Sequence, residues 1–105
     1  MKLVIFRKSN KSTDGKKYFT YFAKQADKLD DKSLSVRITE NFDKEVIKSD
    51  VDYPILVDLI DKDYLIKTEK SKDGTKLYKT LIIFRSTNKI EKADLKQETV
   101  EDYFN

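Results

Sequence analysis

Residues 2–24 read KLVIFRKSNKSTDGKKYFTYFAK, and this stretch decides the fold. Its two ends, residues 2–8 and 17–24, are rich in β-branched and aromatic side chains, which favour strands. Between them lies Asp14-Gly15, a strong short-range signal for a turn. The stretch therefore predicts a β-hairpin with a long, basic tip.

The same signals recur farther along the chain. Residues 63–70 and 77–86 are predicted strands on either side of a second turn, Asp73-Gly74. Residues 34–42 alternate between apolar and polar side chains, which predicts a strand with one buried face. Residues 53–60 predict another strand, with Pro54 at its beginning or on a sheet edge because proline cannot donate to a ladder. Two polar segments connect these elements: residues 25–32, a loop or one helical turn, and residues 43–52, with a helical turn around Glu45–Lys48.

These elements predict one mainly β domain. The chain has 105 residues, which suits a single domain. A sheet of this size must close or fold over itself to bury a core, so we expect a small five- to six-stranded OB-like barrel over residues 1–90. Residues 91–105 lose the alternating pattern and predict an acidic C-terminal helix or tail, in which Val100, Tyr103 and Phe104 have helical spacing.

The composition argues against most enzyme classes. The chain has neither cysteine nor histidine, which removes thiolate chemistry, the commonest general base and the commonest metal ligand. With only Gly15 and Gly74, it has no glycine-rich phosphate cradle. We therefore expect a protein that is not an enzyme and has no cofactor and no metal. The first apolar run has four residues and no segment approaches the length that spans a bilayer, so the expected location is cytoplasmic, without a membrane partner.

Positive charge is concentrated in the two predicted hairpins. Residues 1–24 have a net charge of +6 and residues 67–90 a net charge of +5, whereas residues 25–66 and 91–105 have −5 and −3. In an OB barrel these hairpins are the loops that grip oligonucleotides, beside the face of strands 2 and 3. A solvated edge that resists aggregation is the alternative interpretation of the same lysines.

The charge pattern selects candidate nucleic-acid-binding residues by type. Lysines at the tips would neutralise phosphates, an arginine on the third strand would contact backbone or base, and exposed tyrosines would stack on bases. Strand alternation favours Phe19 and Tyr21 facing inward with Ala23, which leaves Tyr18 on the outer face. The residues selected in this way are Lys16, Lys17, Lys72 and Lys76 for phosphates, Arg37 for backbone or base, and Tyr18 and Tyr78 for stacking.

The opening hairpin and the run Tyr53-Pro54-Ile55-Leu56-Val57 resemble the small OB-fold single-stranded-DNA-binding proteins of bacteriophages and plasmids. Those proteins coat single-stranded replication or transfer intermediates, often as dimers, and touch DNA with tyrosines and basic residues of their hairpins. The resemblance implies a homodimer and, by position in the hairpin, adds Tyr21 to Lys16, Lys17 and Tyr18 as DNA contacts.

The sequence-based hypothesis is therefore a sequence-independent single-stranded DNA-binding protein of a phage or mobile element, with a role in DNA replication. The acidic C-terminal residues, which end in Tyr103-Phe104-Asn105, would either pack on the barrel or recruit a host replication protein. The alternative is a protein-interaction module, a phage- or plasmid-encoded modulator that binds a host protein without binding nucleic acid. Its acidic face would lie around Asp50, Asp52, Asp58 and Asp61.

Overall fold

The computed structural model describes residues 1–27 and 33–93, and that part of the chain forms seven strands and one α-helix. The strands are mostly those that the sequence predicts, with shifted ends, so the mainly β class is confirmed. The elements are β1 (Lys2–Lys11), β2 (Lys17–Gln25), β3 (Leu34–Ile38), α1 (Glu40–Ser49), β4 (Ile55–Asp58), β5 (Tyr64–Lys70), β6 (Leu77–Ile83) and β7 (Glu91–Lys92).

All seven strands belong to one mixed sheet, in the order β5-β6-β3-β2-β1-β4-β7. Neighbours are antiparallel except β3 and β6, which run parallel. The sheet has two edges, β5 and β7, and is not closed, so the closed barrel of five or six strands is not what forms. The seventh strand, β7, has only two residues and follows a segment without alternation, so its sequence carries no strand signal.

The short connection between β4 and β5 shows that the sheet is strongly curved. In a flat sheet these two strands would lie five spacings apart, which is about 24 Å at about 4.8 Å per spacing. From Asp58 to Tyr64 the connection takes six residue steps and reaches no more than about 22 Å even when fully extended, and the 3-10 turn at Asp61–Asp63 shortens it further. The two halves of the sheet therefore curl toward each other, although no ladder joins them.

Helix α1 packs on one face of the curved sheet. Its buried side chains are Phe42 and Val46, one helical turn apart, and both belong to the main core cluster. The strands contribute eight of the other buried members of this cluster, and the segments beside β4 and β7 contribute Leu59 and Ile90; the eight are Leu3, Ile5, Ala23, Val36, Ile55, Val57, Leu81 and Ile83.

Alternation along β1 sends Val4 and Phe6 to the opposite face, where they form a smaller cluster with Ala93. The Phe6 ring stacks on the Phe22 ring there, with centroids 5.0 Å apart.

The helix is longer than the sequence predicts, and it begins inside the predicted strand. The strand predicted over residues 34–42 ends at Ile38, and Thr39 caps the helix by accepting a hydrogen bond from the Phe42 N–H (3.3 Å). Asp50 ends the helix in a left-handed conformation, with φ of 56°. The predicted helical turn around Glu45–Lys48 is thus the second half of α1.

Pro54 directly precedes β4, as the sequence predicts, and the Tyr53-Pro54 bond is cis. Of the predicted C-terminal helix or tail over residues 91–105, Glu91 and Lys92 instead form β7. Residues 94–105, with Val100, Tyr103 and Phe104, lie outside the described residues.

The two hairpin tips share one construction, which the sequence shows as Ser-x-Asp-Gly. In each tip the serine carbonyl accepts from the glycine N–H, and the serine hydroxyl donates to the aspartate. These hydrogen bonds lower the pKa of Asp14, mainly through Ser12, and lower the pKa of Asp73 to about 2, mainly through Ser71. Both carboxylates are therefore ionised and engaged within their own turns.

Gly74 tests the backbone conformation of the second tip. Its φ is +73°, and no atom lies within 4 Å of the position that an added Cβ would occupy. We expect Gly74→Ala to lower the free energy of unfolding by about 1–2 kcal/mol through backbone conformation alone. Thermal unfolding would show this as a fall in Tm of about 4–8 °C per kcal/mol. Lys72→Ala, in the same turn but without a positive φ, is the control, and an equal fall there would contradict the explanation.

Candidate nucleic-acid interface

One row of paired residues crosses five strands and fixes the position of both hairpins. Arg7 on β1 pairs with Tyr21 on β2, and Tyr21 pairs with Val36 on β3. Val36 pairs with Leu81 on β6, which pairs with Ile66 on β5.

The two tips extend from this row in opposite directions along the strands. Lys11, at the end of β1, lies four residues beyond Arg7 in one direction, and Lys70, at the end of β5, lies four residues beyond Ile66 in the other. Eight residues at a rise of about 3.3 Å correspond to about 27 Å along the strands. The sequence-based hypothesis requires both tips to open onto the same side of the barrel; in the structure they stand at the two ends of the sheet.

A groove of about 470 Å³ lies on the sheet where β2 separates from β3. These two strands pair only between residues 21–23 and 34–36, so the space between them widens beyond this ladder. The groove reaches from β2 across β3 to the β5–β6 hairpin. Its lining residues are Phe19, Thr20, Tyr21, Ser35, Val36, Arg37, Ile38, Glu69, Tyr78 and Thr80.

The polar side chains of the groove face away from α1. Val36 and Leu81 belong to the core that α1 covers, so their chain neighbours point to the other side of the sheet. Ser35, Arg37 and Thr80 are such neighbours, and Ser35 pairs directly with Thr80. The groove therefore lies on the sheet face opposite the helix.

Tyr78 and Glu69 form one wall of the groove. They are cross-strand partners on β6 and β5. Hydrogen bonding to the Glu69 carboxylate, and then its negative charge, raise the pKa of the Tyr78 hydroxyl, while Arg37 acts in the opposite direction. Tyr78 is 46% exposed, so its ring is accessible to a ligand. Lys67 lies beside this wall, with its Nζ 3.5 Å from Glu69 Oε1.

A cluster of rings surrounds Arg7 on the helix side of the sheet. The Arg7 guanidinium lies 4.5 Å from the Phe19 ring centroid and 4.9 Å from that of Tyr53. The rings of Tyr21 and Tyr53 are 5.5 Å apart. Burial, and then the charge of Asp43, raise the pKa of the Tyr21 hydroxyl. The predicted inward orientation of Tyr21 is therefore confirmed, and its ring packs at the core instead of standing open for stacking.

The structure places the eight predicted site residues at different parts of the sheet. Arg37 and Tyr78 line the groove together, and Tyr21 borders it while its ring packs on Tyr53. Tyr18 shares the face of Thr20 but lies outside the groove, nearer the first tip, and is 49% exposed. The four lysines are exposed at the tips, Lys16 and Lys17 at one end and Lys72 and Lys76 at the other.

Glu69 and Arg7 are the site residues that sequence reasoning misses. The position of Glu69 follows from the second turn. Ser71 pairs with Lys76 at its base, and this strand register places Glu69 opposite Tyr78. For Arg7 the first hairpin supplies Tyr21 and Phe19 as neighbours, but Tyr53 is distant in sequence and reaches Arg7 only through the fold.

Two other features are absent from the described part of the chain. Residues 1–27 and 33–93 contain no group of three or more acidic side chains arranged to hold a metal ion. Among these same residues, no helix has the length and apolar character needed to cross a membrane. The chain matches no protein-family model, no curated protein and no solved structure.

Proposed function

We propose that the protein binds single-stranded DNA along the groove, largely through the sugar-phosphate backbone, as a protein of a phage or mobile element that acts in replication. The observation that carries this proposal is that Arg37 and the exposed ring of Tyr78 line the same groove, with a lysine-rich tip toward either end. Aromatic rings that stack on bases beside cations that follow phosphates are the usual means of binding a single strand.

The strand pairings support an OB-like interpretation of the curved sheet. In this interpretation β4 and β5 are two halves of one interrupted strand, β4 beside β1 and β5 beside β6. The groove then lies on the face of strands 2 and 3, and the two tips are the loops that flank it, which are the oligonucleotide-binding elements of that fold. The opposite placement of the tips suits this role, because a strand lying along the groove would meet lysines at both ends.

Each group would have a distinct task in this complex. Lys16 and Lys17 at one end and Lys72 and Lys76 at the other would neutralise phosphates, and their binding would weaken as salt rises. Stacking of one base on Tyr78 would contribute about 1–3 kcal/mol. A single OB-type site covers about 4–16 nucleotides, which is compatible with tips about 27 Å apart.

Titration of labelled oligo-dT tests the proposal. We expect binding at about 50 mM salt and a marked loss of affinity at about 200 mM. Replacement of Lys16, Lys17, Lys72 and Lys76 by glutamate should abolish binding. For each phosphate contact, the logarithm of the binding constant should fall with the logarithm of the salt concentration with a slope of about −0.7, and this dependence should be lost in the variant.

A second quadruple variant serves as a matched control. Reversal of Lys44, Lys48, Lys62 and Lys89, four exposed lysines outside the tips and the groove, changes the net charge from +3 to −5, as the first variant does. We expect the control to retain most of the affinity. Equal losses in both variants would show that net charge alone is responsible, and absence of binding by the unmodified protein at about 50 mM salt would refute the proposal.

The alternative function, a protein-interaction module, would use acidic residues from several parts of the chain. Asp50 and Asp52 follow α1, Asp58 ends β4 beside the N-terminal ammonium (3.4 Å), and Asp61 begins the 3-10 turn. These acidic residues therefore come from three separate elements. Recovery of one stoichiometric host protein that survives nuclease treatment, without oligonucleotide binding, would support this alternative.

A further inference from the structure

The groove holds one carboxylate, Glu69, at a place where a phosphate-binding surface should be purely cationic. Glu69 lines the groove with Arg37 and Tyr78, and its side chain is 28% exposed. Lys67 and the Tyr78 hydroxyl hold it in place. A carboxylate repels a nearby phosphate, so the part of a ligand that meets Glu69 must be uncharged and must donate hydrogen bonds. In a nucleic acid, that part is a base.

The bases differ in the donors that they can present to a carboxylate. An ionised carboxylate only accepts hydrogen bonds and has two oxygens side by side. Guanine alone presents two adjacent donors on its pairing edge, N1–H and the 2-amino group. Adenine and cytosine present one amino group beside an acceptor nitrogen, and thymine presents one N–H between two carbonyls, so each of them sets an acceptor against the carboxylate.

We propose that this groove selects guanine in a single strand: Glu69 accepts from N1–H and the 2-amino group, and Tyr78 stacks on the ring. Arg37 lies in the same groove and donates to O6, an acceptor that arginine commonly recognises in guanine. The inference rests on the proposed single-strand binding and deepens it, because it adds a base preference at one position to a backbone-directed interaction.

The test compares oligonucleotides that differ at a single central base. Labelled dT of about ten nucleotides is titrated beside the same strand with a central dG or a central inosine, a base that keeps N1–H and O6 and lacks the 2-amino group. A good bidentate contact discriminates by about 1–3 kcal/mol, so we expect the dG strand to bind about tenfold tighter than dT. The inosine strand should fall between the two.

Glu69→Gln isolates the carboxylate. This variant should bind the dT strand at least as well as the unmodified protein, because a negative charge is removed, and should lose the dG preference. Glu40→Gln makes the same charge change on an exposed helix residue far along the chain from the groove and should keep the preference. Circular dichroism spectra of both variants establish that the sheet is intact.

The outcomes separate this inference from the function on which it rests. Equal binding of the dT, dG and inosine strands would overturn the guanine site and leave single-strand binding in place. A dG preference that persists in Glu69→Gln would also overturn it. Absence of binding to every strand would overturn both proposals.

Discussion

Replacement of Phe42 by alanine is expected to lower the free energy of unfolding by about 3–5 kcal/mol. The Phe42 side chain is 0% exposed and lies in the core between α1 and the sheet. Its removal deletes buried apolar surface and leaves a cavity that the surrounding strands cannot fill. Because domains of this size have a total stability of about 5–15 kcal/mol, the loss is a large fraction of the whole.

Urea unfolding measures this effect, and α1 itself offers a control. Ile47 lies on the same helix but is 70% exposed, so Ile47→Ala should change the stability by less than about 0.5 kcal/mol. If the two variants were equally mild, the helix would not be docked on the sheet as described. A large effect of Ile47→Ala would instead indicate that this exposed side chain is covered in solution.

The hairpins could be predicted because their signals are local. At Asp14-Gly15 and Asp73-Gly74 the glycines supply positive φ values of 87° and 73°, and the flanking residues alternate. The turn and the pattern together determine the pairing of β1 with β2 and of β5 with β6. The placement of Tyr18 and Tyr21 on opposite faces follows from the same alternation.

The arrangement of the hairpins could not be predicted, because it depends on contacts between residues that are distant in sequence. The parallel pair of β3 and β6 joins residues more than forty positions apart, and no turn sequence between them predicts the pairing. The first half of α1 could not be predicted for a different reason: Phe42 lies in phase with Leu34, Val36 and Ile38, so residues 34–42 read as one strand although Glu40 interrupts the alternation.

The candidate site shows the same division. Residue type was sufficient to select Arg37 and Tyr78, because a cation and an exposed ring on neighbouring strands suit a single strand. Glu69 could not be selected in this way, because candidate phosphate-binding residues were chosen for positive charge and Glu69 is acidic. In the groove this acid is informative, since it marks a position that suits a base better than a phosphate.

Replacement of Asp63 by alanine is expected to lower the free energy of unfolding by about 3–5 kcal/mol. The Asp63 carboxylate is fully buried and accepts hydrogen bonds from the Ile60 N–H (3.1 Å), the Thr87 N–H (3.1 Å) and the Thr87 hydroxyl (2.6 Å). Arg85 Nε lies 3.8 Å away. These contacts join the start of β5 to the segment that follows β6, so the variant should also loosen the hairpin that carries Glu69 and Tyr78.

Asp61→Ala is the matched control, because Asp61 is exposed in the same 3-10 turn. Its effect in urea should stay below about 0.5 kcal/mol. If Asp63→Ala were equally mild, the hydrogen bonds around the carboxylate would contribute little to holding β5 in place.

The dependence of stability on pH gives an independent measurement of the same carboxylate. Burial alone would raise the pKa of Asp63, but hydrogen bonds from Thr87 and Ile60 and the charge of Arg85 outweigh it, so the pKa lies below its usual value. Folding therefore favours the ionised form. Its contribution is complete above about pH 4, the unfolded value, and is lost as the pH falls through the lower folded-state pKa. Asp63→Ala should accordingly lose less stability than the unmodified protein between neutral and acidic pH, and parallel profiles for the two proteins would contradict this assignment.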